Sequence, residues 1–142
     1  MNTEQSIYSR LGGEHVLREF VNHLYDFMDY FPAVEPIREM HSDDLSVARD
    51  RLFKFLSGML GGPPLYMQEF GHPRLRQRHM HFKIGDKERD QWLLCAHNAA
   101  NQLSITEETR NDLMMEITLM ANHLRNQDGA VQRVECNTQK AC

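Results

Sequence analysis

The stretch GHPRLRQRHMHF, residues 71–82, sets His72, His79 and His81 between Arg74, Arg76 and Arg78. Neutral imidazole is a ligand for zinc and for iron, and one histidine suffices to hold a haem. Arginine pairs with carboxylates through two parallel N–H donors, and a haem carries two propionate carboxylates on its rim. Histidine among arginines beside an apolar cavity is therefore a chemically sensible haem cradle. The same residue types also occur on ordinary basic surface loops, so the stretch alone leaves both readings open. The three histidines would allow a non-haem metal site, but no Asp or Glu stands among them. Neither H-E-x-x-H nor a Cys/His zinc spacing occurs.

Other polar clusters read more simply. Asp43-Asp44 fits negative charge favoured at a helix N-terminus, and Glu88-Arg89-Asp90 fits a solvated helix face. Nothing resembles a nucleophile elbow, a phosphate-binding loop or a dinucleotide fingerprint.

The elements that would position these residues are helical. Leu17, Val21, Leu24 and Met28 form one apolar stripe over 14–30, set off from a short first segment by Gly12-Gly13. Phe31-Pro32 ends this helix, and 33–40 holds one or two short turns. A second long helix is expected from the Ser42-Asp43-Asp44 cap, burying Leu45, Ala48, Leu52, Phe55, Leu56 and Met59 until Gly61-Gly62-Pro63-Pro64 stops it. Periodicity fails from 61 to about 84, which predicts a long functional loop. A third helix over 86–102 puts Trp92, Ala96, Ala99 and Leu103 on one side. A fourth opens on a capping box at Ser104-Ile105-Thr106-Glu107 and buries Leu113, Ile117, Met120 and Leu124. The expectation is one all-α domain over 1–126 and a flexible tail over 127–142.

Composition narrows the setting. The 142 residues, 41% hydrophobic and 25% charged, suit one globular domain that buries about two-thirds of its unfolded surface. A net charge of -4 argues against a nucleic-acid partner. No apolar run is long enough to span a membrane, and no signal peptide opens the chain. Cys95, Cys136 and Cys142 form no disulfide framework. Together these lead to the expectation of a reduced, cytoplasmic protein. Eight histidines and nine methionines are an excess that invites a search for a metal site.

The run FLSGMLGGPPLYMQEFGHPRLRQRHMHFKIGDKERDQWLLC, residues 55–95, closely resembles the group II truncated haemoglobins. GGP, Y, GHPRLR-x-RH, F-x-I and ERD-x-WL follow the family's order and spacing. YSRLGG at 8–13, LYDFM and DDL extend the match over roughly 7–126. The resemblance implies a globin-like two-over-two helical sandwich with a long loop before the proximal histidine. It implies haem b as cofactor and His79 as the proximal iron ligand. It also implies Tyr25 and Trp92 as distal hydrogen-bond donors to a bound ligand, with His41 as a third. Ala48 takes the position of the distal histidine of ordinary globins, Leu52 forms an apolar wall, and Tyr66, Arg78 and Arg74 hold the haem edge.

The function so implied is binding of O2, NO or CO at a polar distal pocket. It leans toward O2/NO chemistry or protection against oxidative and nitrosative stress rather than delivery. Activity as an NO dioxygenase or weak peroxidase goes with that reading, with an unidentified reductase as partner and peroxide as a further small ligand. The alternative is a haem-free helical interaction or metal-binding module with methionine-rich faces. Two departures from the family stand out: His81 replaces a common proline, and the chain after 126 exceeds the family length.

Overall fold

The structure, a computed structural model, describes residues 5–126. The expected flexible tail, with Cys136 and Cys142, lies outside the described residues. In chain order the helices are α1 (Ile7–Leu11), α2 (Glu14–Tyr30), a 3-10 turn at Pro32–Val34, α3 (Glu35–Arg38), α4 (Ser46–Met59), α5 (Leu65–Phe70), α6 (Leu75–His79), α7 (Asp86–Asn101) and α8 (Glu107–His123). No strand occurs among the described residues. α2 packs on both α4 and α7, and α7 pairs with α8, so two helix pairs form two layers.

Local chemistry explains the borders. Gly12 takes the left-handed conformation, φ 115°, and its N–H closes α1 onto the Ser9 and Tyr8 carbonyls. α2 ends at Phe31, whose extended backbone precedes Pro32. The apolar stripe of α2, with Leu17, Phe20, Val21, Leu24 and Met28 all buried, forms the centre of the core.

Three expectations change. α4 starts at Ser46 rather than at Ser42-Asp43-Asp44. The guanidinium of Arg38 donates to the Ser42 and Asp43 carbonyls at 3.0 and 2.9 Å, which holds that segment as a bend. Leu45 takes the N-cap position without a side-chain cap, and the Asp44 carboxylate accepts from the first helical N–H, that of Ser46, at 2.9 Å. The supposed loop from 61 to 84 contains α5 and α6. Finally, α8 is capped by Thr106, not by a box at Ser104. The Thr106 hydroxyl accepts from the Thr109 N–H at 3.1 Å.

α4 also buries two faces instead of one. Phe53, Leu56, Ser57 and Leu60 enter the core, whereas Ala48, Leu52 and Phe55 are half-buried along a cavity. On α7, Cys95, Ala96, Ala99 and Ala100 are packed against the core. Burial pushes the Cys95 thiol up to about 12, so it stays protonated. No helix among the described residues is long and apolar enough to cross a membrane.

Candidate functional site

A cavity of about 420 Å3 opens between α2, α4, α6, α7 and the end of α8. Its size is in the range of cofactor pockets, about 300–1,000 Å3. Of the side chains singled out in the sequence, Tyr25, His41, Ala48, Leu52, Tyr66, Arg78, His79 and Trp92 all line it. Arg74 does not. It sits just before α6 with φ 48°, and its backbone N–H donates to His72 Nδ1 at 3.1 Å.

His79 is the last residue of α6. Its Nδ1 lies 2.7 Å from the Leu75 carbonyl oxygen, one helical turn back. A carbonyl can only accept, so Nδ1 carries a proton, and in the neutral ring Nε2 keeps its lone pair. That is the tautomer a metal-binding imidazole needs, with its second nitrogen fixed by a backbone carbonyl. His72 and His81 are exposed and line no part of the cavity. The His81 ring instead lies against Phe82, centroids 4.1 Å apart. Among the described residues no three His, Cys, Asp or Glu side chains group as a metal site.

Another part of the wall is polar. Tyr25 on α2 is 5% exposed, and burial pushes its phenol pKa well above the ordinary value, against a smaller opposing effect of Arg49. The phenol is therefore a neutral O–H donor at physiological pH. No described residue hydrogen-bonds this hydroxyl. The Tyr25 ring meets His41 edge-on, centroids 5.7 Å apart at 75°.

His41 makes the same bond as His79, its Nδ1 donating to the Ile37 carbonyl at 2.9 Å. Burial, outweighing that hydrogen bond, lowers its pKa, and Arg38 and His79 lower it further. A neutral His41 thus presents an acceptor, Nε2, to the cavity. It could donate from Nε2 only when protonated, which restricts the expected third donor to acid conditions. Trp92 on α7 brings an indole N–H, which is donor only.

The remaining walls are largely apolar, among them Phe55, Leu75, Ile84, Met120 and Leu124. The exposed arginines Arg51 and Arg78 also line it. Arg78 Nε donates to the Pro73 carbonyl at 2.7 Å, and the Arg51 guanidinium lies over the Phe70 ring at 4.7 Å. These residues fit a haem: a largely apolar cavity, an imidazole on His79 that can bind a metal through Nε2, and guanidinium groups suited to carboxylates. Arg51 was missed in the sequence, although it lies one helical turn from Ala48 on α4. Met120 and Leu124 also escaped assignment to the site, because they come from a segment distant in sequence, and Phe82 escaped although it lies three residues after His79.

Comparison with known proteins places the chain in a family. The family model for the bacterial-like globins matches residues 6–126. A group 2 truncated haemoglobin of Bacillus subtilis is 36% identical over 121 residues, covering 85% of this chain and 89% of the relative. Among solved structures, the cold-adapted truncated haemoglobin of Pseudoalteromonas haloplanktis superposes with a TM-score of 0.83 at 36% identity. That match covers 87% of this chain and 99% of the other. A truncated haemoglobin from Bacillus subtilis described as oxygen-avid gives 0.77 at 34% identity, covering 86% and 100%. A two-layer helical fold, a cavity holding an imidazole lone pair and a family match over nearly all described residues lead to one conclusion: the chain is a bacterial-like globin, a group II truncated haemoglobin of the two-over-two fold.

Proposed function

We propose that this haemoglobin holds haem b through His79 Nε2 and retains O2 or NO tightly for chemistry rather than delivery. Membership of the globin family makes it a haem protein that binds small gaseous ligands. The observation that carries the finer reading is the pairing of two features in one cavity. His79 has its Nδ1 proton committed to Leu75, and Tyr25 and Trp92 bring donors to the same space.

Haem supplies an iron with a free coordination position and the ability to change oxidation state. The protein supplies the rest. His79 anchors and orients the cofactor, while Ala48 and Leu52 leave an apolar space beside it. Tyr25 Oη and Trp92 Nε1 donate to a ligand that takes up partial negative charge. Such fixed donors, in a site with little water, are worth more than the same bonds in bulk solvent. The oxygen avidity named for the Bacillus subtilis relative supports this reading.

The reaction that suits tight retention of O2 is conversion of NO to nitrate, with weak peroxidase activity on peroxide as a second outlet. NO, O2 and one electron give nitrate, so each turnover needs a reductase, whose identity is open. A cytoplasmic setting and a role in nitrosative or oxidative stress belong to the same proposal.

The test has two arms. Reconstitution with haem should give a Soret band that is displaced or lost in His79→Ala. An unchanged band would overturn the role of His79, and no band at all would favour a haem-free module. Stopped-flow consumption of NO in the presence of O2, alongside steady-state peroxide loss, then decides between the two chemistries.

A further inference from the structure

The backbone of His79 is gripped by the last described residue of the chain. Asn126 Nδ2 donates to the His79 carbonyl at 3.1 Å and to the Phe82 carbonyl at 2.8 Å. Its Oδ1 accepts from the Ile84 N–H at 2.9 Å, and its own backbone N–H donates to the Ile84 carbonyl at 2.7 Å. One side chain thus ties both ends of the segment that leaves α6 and leads into α7.

A second tie runs from within α6. Arg76 Nη1 donates to the His123 and Arg125 carbonyls at 2.7 and 3.0 Å. These lie at the C-terminal end of α8, where helix carbonyls lack partners within the helix. Arg125 Nη1 reaches the Asp86 carboxylate at 2.7 Å, at the start of α7. Three helices therefore meet in one polar clasp around His79.

The clasp matters because α6 has little else to hold it. It is five residues long and none of them is buried. A helix so short is not stable by itself, and an ordinary helix is placed by packing an apolar face. Here hydrogen bonds replace that face. The ring of His79 is fixed by Leu75 and its carbonyl by Asn126, so both ends of the residue are restrained.

We infer that Asn126, together with Arg76, is a positioning residue that sets the height and tilt of the His79 imidazole in the cavity. It thereby governs how firmly haem and its ligand are held. Met120 and Leu124 of the same α8 terminus line the cavity, so a shift of that terminus moves a wall and the His79 backbone together. This inference rests on the assignment of His79 to the iron.

The test uses the full chain. Asn126→Asp keeps the size and the acceptor for the Ile84 N–H but cannot donate to His79 and Phe82. Arg76→Gln loosens the clasp from its other side. Arg10→Ala, which removes the 2.7 Å tie between α1 and Asp112 on α8, is a control for general destabilisation. In ferrous, ligand-free protein, the iron–histidine stretching band should shift and broaden in Asn126→Asp and Arg76→Gln, but not in Arg10→Ala. Haem loss to an excess of acceptor apoprotein should quicken by about 10-fold, the usual effect of removing a group that orients a metal ligand.

In haem-free protein, amide exchange at Phe82, whose N–H donates to the His79 carbonyl at 3.0 Å, should speed up in Asn126→Asp while α2 is unaffected. A band and a haem-loss rate equal to wild type in both folded clasp variants would overturn the inference alone. A wild-type protein with no His79-dependent iron–histidine band would overturn the assignment of His79, and the inference with it.

Discussion

His41 and His79 are held by the same bond in the same register. Each donates Nδ1–H to the carbonyl four residues earlier, Ile37 at 2.9 Å and Leu75 at 2.7 Å. When neutral, each ring therefore keeps a lone pair on Nε2 within one cavity. On His79 that lone pair would serve as the iron ligand under the proposed function; on His41 it is an acceptor that becomes a donor only by taking a proton.

The pH dependence of stability follows from His41. Its folded pKa lies below the ordinary value, chiefly through burial, while in the unfolded chain it titrates near about 6.5. As pH falls through 6.5, the unfolded state takes the proton first, which favours unfolding. The His41 contribution is thus complete above about 6.5 and is lost as pH falls toward the folded pKa. Urea midpoints at mildly acid and neutral pH should differ more for wild type than for His41→Phe. Equal differences in the two proteins would refute the assignment.

Ligand release should depend on the two neutral donors. Tyr25→Phe deletes a hydroxyl that no described residue hydrogen-bonds, so fold stability should change little. A hydrogen bond to a charged partner contributes about 1.5–3 kcal/mol, which corresponds to roughly 10- to 100-fold in dissociation rate. O2 dissociation should accelerate by that order in Tyr25→Phe, and less in Trp92→Phe, whose half-buried indole also supports the core. In wild type, release should slow in acid as His41 gains an Nε2 donor, and this slowing should be absent in His41→Phe. Unchanged rates in both donor variants would rule out the distal hydrogen bonds.

How much of this was readable beforehand depended on element length. α2 spans 17 residues with one stripe, and its limits were plain from Leu17, Val21, Leu24 and Met28. α5 and α6, of six and five residues, are too short to display a 3.6-residue period, so they passed as loop. The start of α4 was misplaced because Arg38 occupies the Ser42 and Asp43 carbonyls, a contact across the bend that no local rule detects. Phe53 was overlooked because α4 serves two faces, the core and the cavity. Spacing alone could not join Tyr25, His41, His79 and Trp92, which come from four segments; the family resemblance supplied that link. The clasp at Asn126 was invisible, since it depends on tertiary contact between α8 and the turn after α6.

The close approach of α1 to the turn after α4 gives a stability prediction. A Cβ on Gly62 would lie 2.5 Å from Tyr8 Cδ1, too near for any real contact. Tyr8 is tied there by its N–H to the Leu60 carbonyl at 3.0 Å, so it cannot withdraw freely. Gly62→Ala should cost about 1–3 kcal/mol, the usual range for overpacking. Chemical denaturation of the haem-free protein measures it; a loss below 0.5 kcal/mol, roughly the noise of a surface substitution, would mean that α1 is loosely docked.

Arg110 closes α7 from the following helix. Its Nε and Nη2 donate to the Ala100 and Leu103 carbonyls at 3.1 and 2.9 Å, and Nη1 reaches Glu107 at 3.1 Å. The Glu107 contact is solvent-exposed and contributes little. The two carbonyls are different: Ala100, which also accepts from the Leu103 N–H at 3.2 Å, lies in the last turn of the helix that carries Trp92, and Leu103 lies just beyond it. Charge-assisted bonds of this kind contribute about 1.5–3 kcal/mol each when partly buried. Arg110→Met keeps most of the alkyl packing and deletes both donors, so it should lower stability by about 2 kcal/mol or more. Glu107→Gln should cost less than about 0.5 kcal/mol. Equal losses in the two variants would shift the role of Arg110 from the α7 terminus to the surface ion pair.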